Sequence, residues 1–202
     1  MKPDEIEKAS MAIIARELGT WRGEEDELPV VMRVIHATAD FDFAENLTFS
    51  TGAVYSARRI LADGAVVVTD TNMAAAGINK TAAAAYGVSV ICRMADGEIA
   101  ARASKRKMTR AAVGIEEAVL RTPSAIFAIG NAPTALIRLC ELIDAGKACP
   151  SLVIAVPVGF VNVIESKEML LRRNIPYIAS RGRKGGSPVA AAIVNALLYG
   201  IA

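Results

Sequence analysis

The stretch Ala125-Ile126-Phe127-Ala128-Ile129-Gly130-Asn131-Ala132-Pro133-Thr134 decides the fold class. Its first five residues are apolar without alternation, the pattern of a strand covered on both faces of a parallel sheet. Glycine, asparagine and proline then break the strand, and Pro133 suits the first turn of a helix. Helical periodicity continues over residues 133–145. A buried strand handed to a helix through a short loop is the unit of an α/β layered fold. Working outward, the runs 65–70, 88–93, 152–156 and 176–180 read as four more buried strands, and 109–120, 161–173 and 188–198 as helices between and after them. The first sixty residues read as three helices ahead of the first strand. The expectation is a three-layer α/β fold. A central, mainly parallel five-stranded sheet carries helices on both faces, after an N-terminal helical segment. No internal repeat or Gly/Ser-rich linker divides residues 1–202, and one domain of roughly 100–200 residues accommodates them.

The composition, 53% hydrophobic with only 5% aromatic, suits a large core in which small residues let helices and strands approach closely. It excludes disorder, which needs low hydrophobicity and high charge. A net charge of +2 gives no global field to recruit nucleic acid, so any anion site is local. Cys92, Cys140 and Cys149 are widely spaced and stand beside a single histidine, which argues against a zinc site. An odd cysteine count suits a reducing compartment. The charged start has no apolar run behind it, and no stretch is apolar for long enough to span a bilayer. A cytoplasmic protein with no membrane partner is expected.

Ligands of such sheets lie beyond the carboxyl ends of the strands. Four segments rich in turn formers fall there: Asp70-Thr71-Asn72-Met73, Gly130-Asn131-Ala132-Pro133-Thr134, Pro157-Val158-Gly159-Phe160 and Arg181-Gly182-Arg183-Lys184-Gly185-Gly186-Ser187. Any one could be an ordinary loop. Four at one edge point to a site, where Asn131 and Thr134 offer amide and hydroxyl donors.

Leu28, Val31, Met32 and Ile35 recur at helical spacing and define an apolar face, with His36 at its flank. An imidazole there can exchange a proton near neutral pH, its ordinary pKa being about 6.5. Spacing alone favours a hydrogen-bonded structural histidine, since no G-x-S-x-G or identifiable triad accompanies it. In the 181–188 segment, Ser187 looks like a helix N-cap with Pro188 behind it, and the glycines leave N–H groups open to an anion. Arg181, Arg183 and Lys184 reinforce that design for carboxylate or phosphate. The segment is neither a Walker A loop nor a dinucleotide fingerprint. A nucleotide- or phosphate-binding protein and an RNA-binding module therefore remain as alternatives, the second weakened by the near-neutral charge and few aromatics. Most of the basic run 102–110 reads as a solvated face, except Arg110, which opens an apolar helix. Ser10 reads as a helix-surface serine.

Taken in order, Arg33-Val34-Ile35-His36-Ala37-Thr38-Ala39-Asp40-Phe41, Gly130-Asn131-Ala132-Pro133-Thr134-Ala135-Leu136, Pro157-Val158-Gly159-Phe160-Val161 with Glu165-Ser166-Lys167, and Gly182-Arg183-Lys184-Gly185-Gly186-Ser187 closely resemble the precorrin-8X (cobalt-precorrin-8) methylmutase family of cobalamin biosynthesis. The resemblance runs over nearly the whole chain. One departure is Ala74 after Met73, where a larger aliphatic residue is expected.

The resemblance implies an isomerase that needs no cofactor and moves a methyl group from C-11 to C-12 of the macrocycle. Cobalt, where present, arrives in the substrate, and the His-Ala-Thr-Ala-Asp-Phe and Gly-Arg-Lys-Gly-Gly-Ser variants look more like the cobalt-first branch. The family histidine falls on His36, which protonates or hydrogen-bonds the ring. Its substrate serine falls on Ser10 and its site arginine on Arg110. Thr38, Asn131, Thr134, Arg183, Lys184 and Ser187 complete the expected substrate contacts, in an apolar slot fringed by donors for the carboxylates. The resemblance also implies a homodimer whose active sites draw on both subunits, with a tetrapyrrole as partner and no nucleic acid.

Overall fold

The protein is described by a computed structural model that covers residues 2–201. The five predicted runs become β2 (Val66–Thr69), β3 (Ser89–Cys92), β4 (Ile126–Ile129), β5 (Leu152–Ala155) and β6 (Tyr177–Ser180), all mutually parallel where they pair. A sixth strand, β1 (Leu47–Phe49), corrects the expected five. It adds antiparallel to the outer edge of β6, with Leu47 opposite Ser180 and Phe49 opposite Ile178, so the sheet order is β1-β6-β5-β4-β2-β3.

The N-terminal reading needs the same correction. Four helices, α1 (Pro3–Leu18), α2 (Leu28–Thr38), the single turn α3 (Phe43–Asn46) and α4 (Ala53–Ala62), precede β2, and β1 interrupts them. Three residues in the polar context Glu45-Asn46-Leu47-Thr48-Phe49-Ser50 carry no strand signal. Pairing with β6 and bonds from Arg181 N–H to Asn46 O (2.7 Å) and from Ser50 N–H to Tyr177 O (3.0 Å) fix the segment instead. Two short alanine-rich helices, α5 (Asn72–Gly77) and α6 (Lys80–Ala85), and α7 (Gly97–Arg106) also lie where no helix was assigned. The predicted helices appear as α8 (Arg110–Arg121), α9 (Pro133–Asp144), α10 (Val163–Leu171) and α11 (Ser187–Tyr199).

Alternate strand residues serve two cores, as the period of two requires. Val67, Ile126, Ala128, Leu152, Ile154 and Ile178 join the core beneath α2, α4 and α11, whereas Val68, Phe127, Ile129, Val153 and Ala179 face the core beneath α8, α9 and α10. Helix α11 is central to the first layer: it packs on α2, α4, α5 and α6, and Val189, Ala190, Ile193, Val194 and Leu197 are buried. Ala74, the departure noted in the sequence, is fully buried in the first turn of α5 within this layer.

Candidate active site

The topological switch point of the sheet lies between β2 and β4, because the chain leaves β2 toward β3 on one side and returns to β4 on the other. Open α/β sheets bind ligands beside such points, outside the carboxyl ends of the strands. Asp70, immediately after β2, bridges it. One oxygen, Oδ1, accepts the Gly130 N–H at 2.8 Å, and Oδ2 accepts those of Asn131 (2.8 Å) and Ala132 (2.6 Å). Asp70 is buried, and desolvation raises its pKa despite these three bonds. The carboxylate therefore dictates the shape of the loop that carries Asn131. Sequence reading noted the Asp70 segment without this role, since the contact spans sixty residues.

The next layer of contacts brings the remaining loops together. Thr71 caps α5 through Ala74 N–H and shares a 2.7 Å hydroxyl bond with Ser187. Ser187 is not the expected N-cap. Gly186 occupies that position at φ 132°, and Ser187 is the first residue of α11, buried with its hydroxyl turned to Thr71. The main chain crosses so close here that a Cβ on Gly130 would sit 2.8 Å from Ser187 Cα, and one on Gly185 would sit 2.1 Å from Val156 O. The cap position itself, Gly186, is held by its N–H bond to the Val156 carbonyl at 2.8 Å and by a positive φ that a serine rarely adopts.

On the other helical layer, Thr109 caps α8 and bonds Thr134 at 2.8 Å, joining the first turns of α8 and α9. Arg110 follows Thr109 and is exposed, as is Asn131. The rest of the basic run corrects the solvated-face reading in part: Arg106 pairs with Glu116 and Arg102 with Glu117, at 2.7 Å for the latter. These carboxylates lie one helix away, on α8, where sequence spacing gives no hint of them.

His36 stands in the last turn of α2. The buried residues of that helix are Val30, Val31, Val34 and Ile35, a face rotated slightly from the one expected, and His36 is exposed beside it. Among the described residues it has no hydrogen-bond partner, so the structural-histidine alternative loses the bond on which it rests. Thr38 donates to Val34 O at 2.8 Å and accepts Asp40 N–H at 3.2 Å, shaping the left-handed exit through Ala39 at φ 53°. Lys184 then reaches back to this exit: its Nζ donates to Asp40 Oδ2 at 2.7 Å and Asp42 Oδ2 at 2.5 Å. The hydrogen bond from Lys184 holds the Asp40 carboxyl below its ordinary pKa, and the two aspartates raise that of Lys184.

The site edge is thus assembled from Thr71, Asn131, Thr134, Lys184, Ser187 and the end of α2. Arg183 is exposed and stacks over the Phe160 ring at 5.4 Å. Phe160, Val161 and Met73 are exposed apolar side chains. Ser10 donates to Ile6 O within α1 and is half-buried. No ion pair or hydrogen bond links Ser10 or Arg110 to His36 among the described residues, and α8 lies in the opposite layer from α2. Two larger concavities, of about 540 Å³ beside Arg106, Glu116 and Arg138 and about 710 Å³ beside Glu24 to Glu27, are lined by none of these site residues. Among the described residues no three His, Cys, Asp or Glu side chains converge as a metal-ligand set, and no helix is long and apolar enough to cross a membrane.

Comparison with known proteins places this geometry. The precorrin-8X methylmutase family profile matches residues 5–200. A cobalt-precorrin-8 methylmutase of Priestia megaterium is 39% identical over 98% of this chain and 88% of its own. A precorrin-8X methylmutase of Pseudomonas aeruginosa is 41% identical over 95% of this chain and 93% of its own. The crystal structure of precorrin-8X methylmutase from Thermus thermophilus superimposes with a TM-score of 0.88 at 39% identity, covering 96% of both chains. Fold and relatives together define an isomerase of the methylmutase class, which transfers a methyl group within one molecule. The chain belongs to the precorrin-8X methylmutase family of corrin biosynthesis. The nucleotide-binding alternative finds no support among these relatives.

Proposed function

We propose that this chain moves a methyl group from C-11 to C-12 of cobalt-precorrin-8, giving cobyrinate, with precorrin-8X as the metal-free alternative substrate. The observation that carries the reading is the Lys184 clamp on Asp40 and Asp42, which ties the basic loop to the end of the His36 helix. A proton-exchanging imidazole and an anion-binding loop are thereby held on one edge. Exposed Phe160, Val161 and Met73 suit the apolar faces of a macrocycle, while Arg183, Arg110 and the amides of residues 182–185 suit its acetate and propionate fringe.

His36 acts as the proton partner of the ring. A methyl shift needs no external nucleophile, so acceleration comes from favouring the protonation state and geometry of the migrating system over those of the bound substrate. Ser10, Thr38, Asn131, Thr134 and Ser187 serve as orienting groups: Thr38 and Ser187 through the main chain and hydroxyl bonds already described, the others by donating to the substrate. No resident cofactor is required; cobalt travels in the substrate. Because Arg110 and His36 lie in opposite helical layers of one chain, a homodimer with sites drawn from both subunits is the arrangement that unites them. A cytoplasmic location accords with three free cysteines.

Titration with a cobalt corrinoid and, separately, with ATP, followed by visible spectra, tests this reading. A corrinoid spectrum that shifts on adding protein, with ATP failing to compete, is expected. An untouched corrinoid spectrum contradicts it.

A further inference from the structure

Lys167, on α10, is 1% exposed. Among the described residues no carboxylate pairs with its ammonium. Burying such a charge is costly, and an apolar residue of similar size would pack there at less expense. The ammonium is instead saturated by three oxygens: Ser180 Oγ at 3.0 Å, Gly182 O at 2.9 Å and Lys184 O at 2.8 Å. The Ser180 hydroxyl itself donates to Lys184 O, also at 2.8 Å. All three acceptors lie at the root of the basic loop, and from the backbone so fixed the Lys184 side chain extends to Asp40 and Asp42. A continuous run of polar contacts therefore leads from the buried ammonium to the segment that follows His36.

We propose that Lys167 is a positioning residue of the isomerase: its buried ammonium sets the main chain at 180–184 and so aims Arg183 at the carboxylates of the substrate while holding Lys184 on Asp40 and Asp42. The proposal rests on the reading of the 181–187 loop as a carboxylate-binding element. A buried ammonium needs all three of its donors satisfied, and here all three go to the root of the basic loop rather than to the core. Burial pulls the Lys167 pKa down to about 8, which leaves the amine mostly charged at neutral pH.

The test compares steady-state kinetics of wild type, Lys167→Met, Ser180→Ala and Arg183→Ala on cobalt-precorrin-8, with circular dichroism as the check on folding. Methionine keeps the length of the side chain and removes the three donors. Folded Lys167→Met is expected to raise KM about tenfold while kcat changes less than about threefold, the mark of lost binding without loss of the chemical step. Ser180→Ala, which removes one acceptor and one donor to Lys184 O, is expected to raise KM about threefold. Arg183→Ala reports on the loop itself and is expected to raise KM as well. A raised KM in Arg183→Ala beside a wild-type KM in folded Lys167→Met overturns the role of Lys167 alone. A wild-type KM in Arg183→Ala overturns the loop reading and the inference with it. Should Lys167→Met not fold, Ser180→Ala decides: a raised KM supports the proposal and a wild-type KM overturns it.

Discussion

The Lys184 ammonium lies 2.7 Å from the Asp40 carboxylate, across 144 residues of sequence, and so ties the loop ahead of the last helix to the exit of the helix that carries His36. The pair is partly exposed and screened by solvent, so its worth in stability is small. Its consequence is geometric. Lys184→Glu sets a third carboxylate against Asp40 and Asp42 and pushes the two segments apart. Corrinoid affinity is expected to fall about tenfold or more, with a smaller change in kcat, measured by spectral titration and steady-state kinetics. Equal affinity in the variant would make the loop a bystander.

Asp70 gives a second prediction. Asparagine at that position turns an amide nitrogen toward N–H groups that now bond a carboxylate, leaving a buried donor unpaired. Urea unfolding should show a loss of about 2–3 kcal/mol for Asp70→Asn, with faster hydrogen exchange at Gly130, Asn131 and Ala132. Wild-type exchange at those amides would mean the loop is held by something else.

Gly130→Ala tests the close approach of β4 to α11. The added methyl meets the Ser187 Cα at 2.8 Å and the Gly186 carbonyl at 2.9 Å, both main chain, so the helix start must move. An overpacking cost of about 1–3 kcal/mol in the unfolding free energy, read as a lower urea midpoint, is expected. The Thr71–Ser187 bond should weaken with it, and an unchanged midpoint would show that the loop yields freely.

Lys167 also predicts a pH dependence of stability. Its folded pKa, about 8, lies below that of the unfolded chain, so between about pH 8 and 10.5 the unfolded state binds more protons. Its contribution to stability therefore rises with pH across that window, by an amount on the order of 3 kcal/mol. Cys140, pushed up to about 11 by burial, works in the opposite sense over part of the range, since its folded state holds the proton longer. The difference between wild type and Lys167→Met isolates the lysine. Wild type should gain stability relative to Lys167→Met as the pH rises from about 8 toward about 10. A pH-independent difference would contradict the burial of a charged amine.

The parallel strands and the later helices were legible in the sequence because each is a local pattern: an unalternating apolar run, a breaker, then a 3.6-residue period. The edge strand β1 was not, because three residues derive their form from hydrogen bonds to β6 rather than from their own side chains. Asn131, Thr134 and Ser187 were legible as residues beyond the carboxyl ends of the strands, since glycine and proline punctuation marks the strand ends. What holds them there was hidden. Asp70, Thr71 and Lys167 act through contacts to residues 13 to 116 positions away, and no spacing rule connects such partners. Ser187 was misassigned by one residue because Gly186, with its positive φ, takes the cap position under the Val156 carbonyl. His36 was placed at the flank of its apolar face by periodicity, and the fold leaves it there, exposed and unbonded among the described residues.

The most direct test of the central claim is turnover of cobalt-precorrin-8 by His36→Ala, followed by the change in the visible spectrum as cobyrinate forms. If His36 is the proton partner of the migrating system, turnover is abolished while circular dichroism and corrinoid binding stay near those of the wild type. Wild-type turnover in folded His36→Ala would remove the histidine from the mechanism.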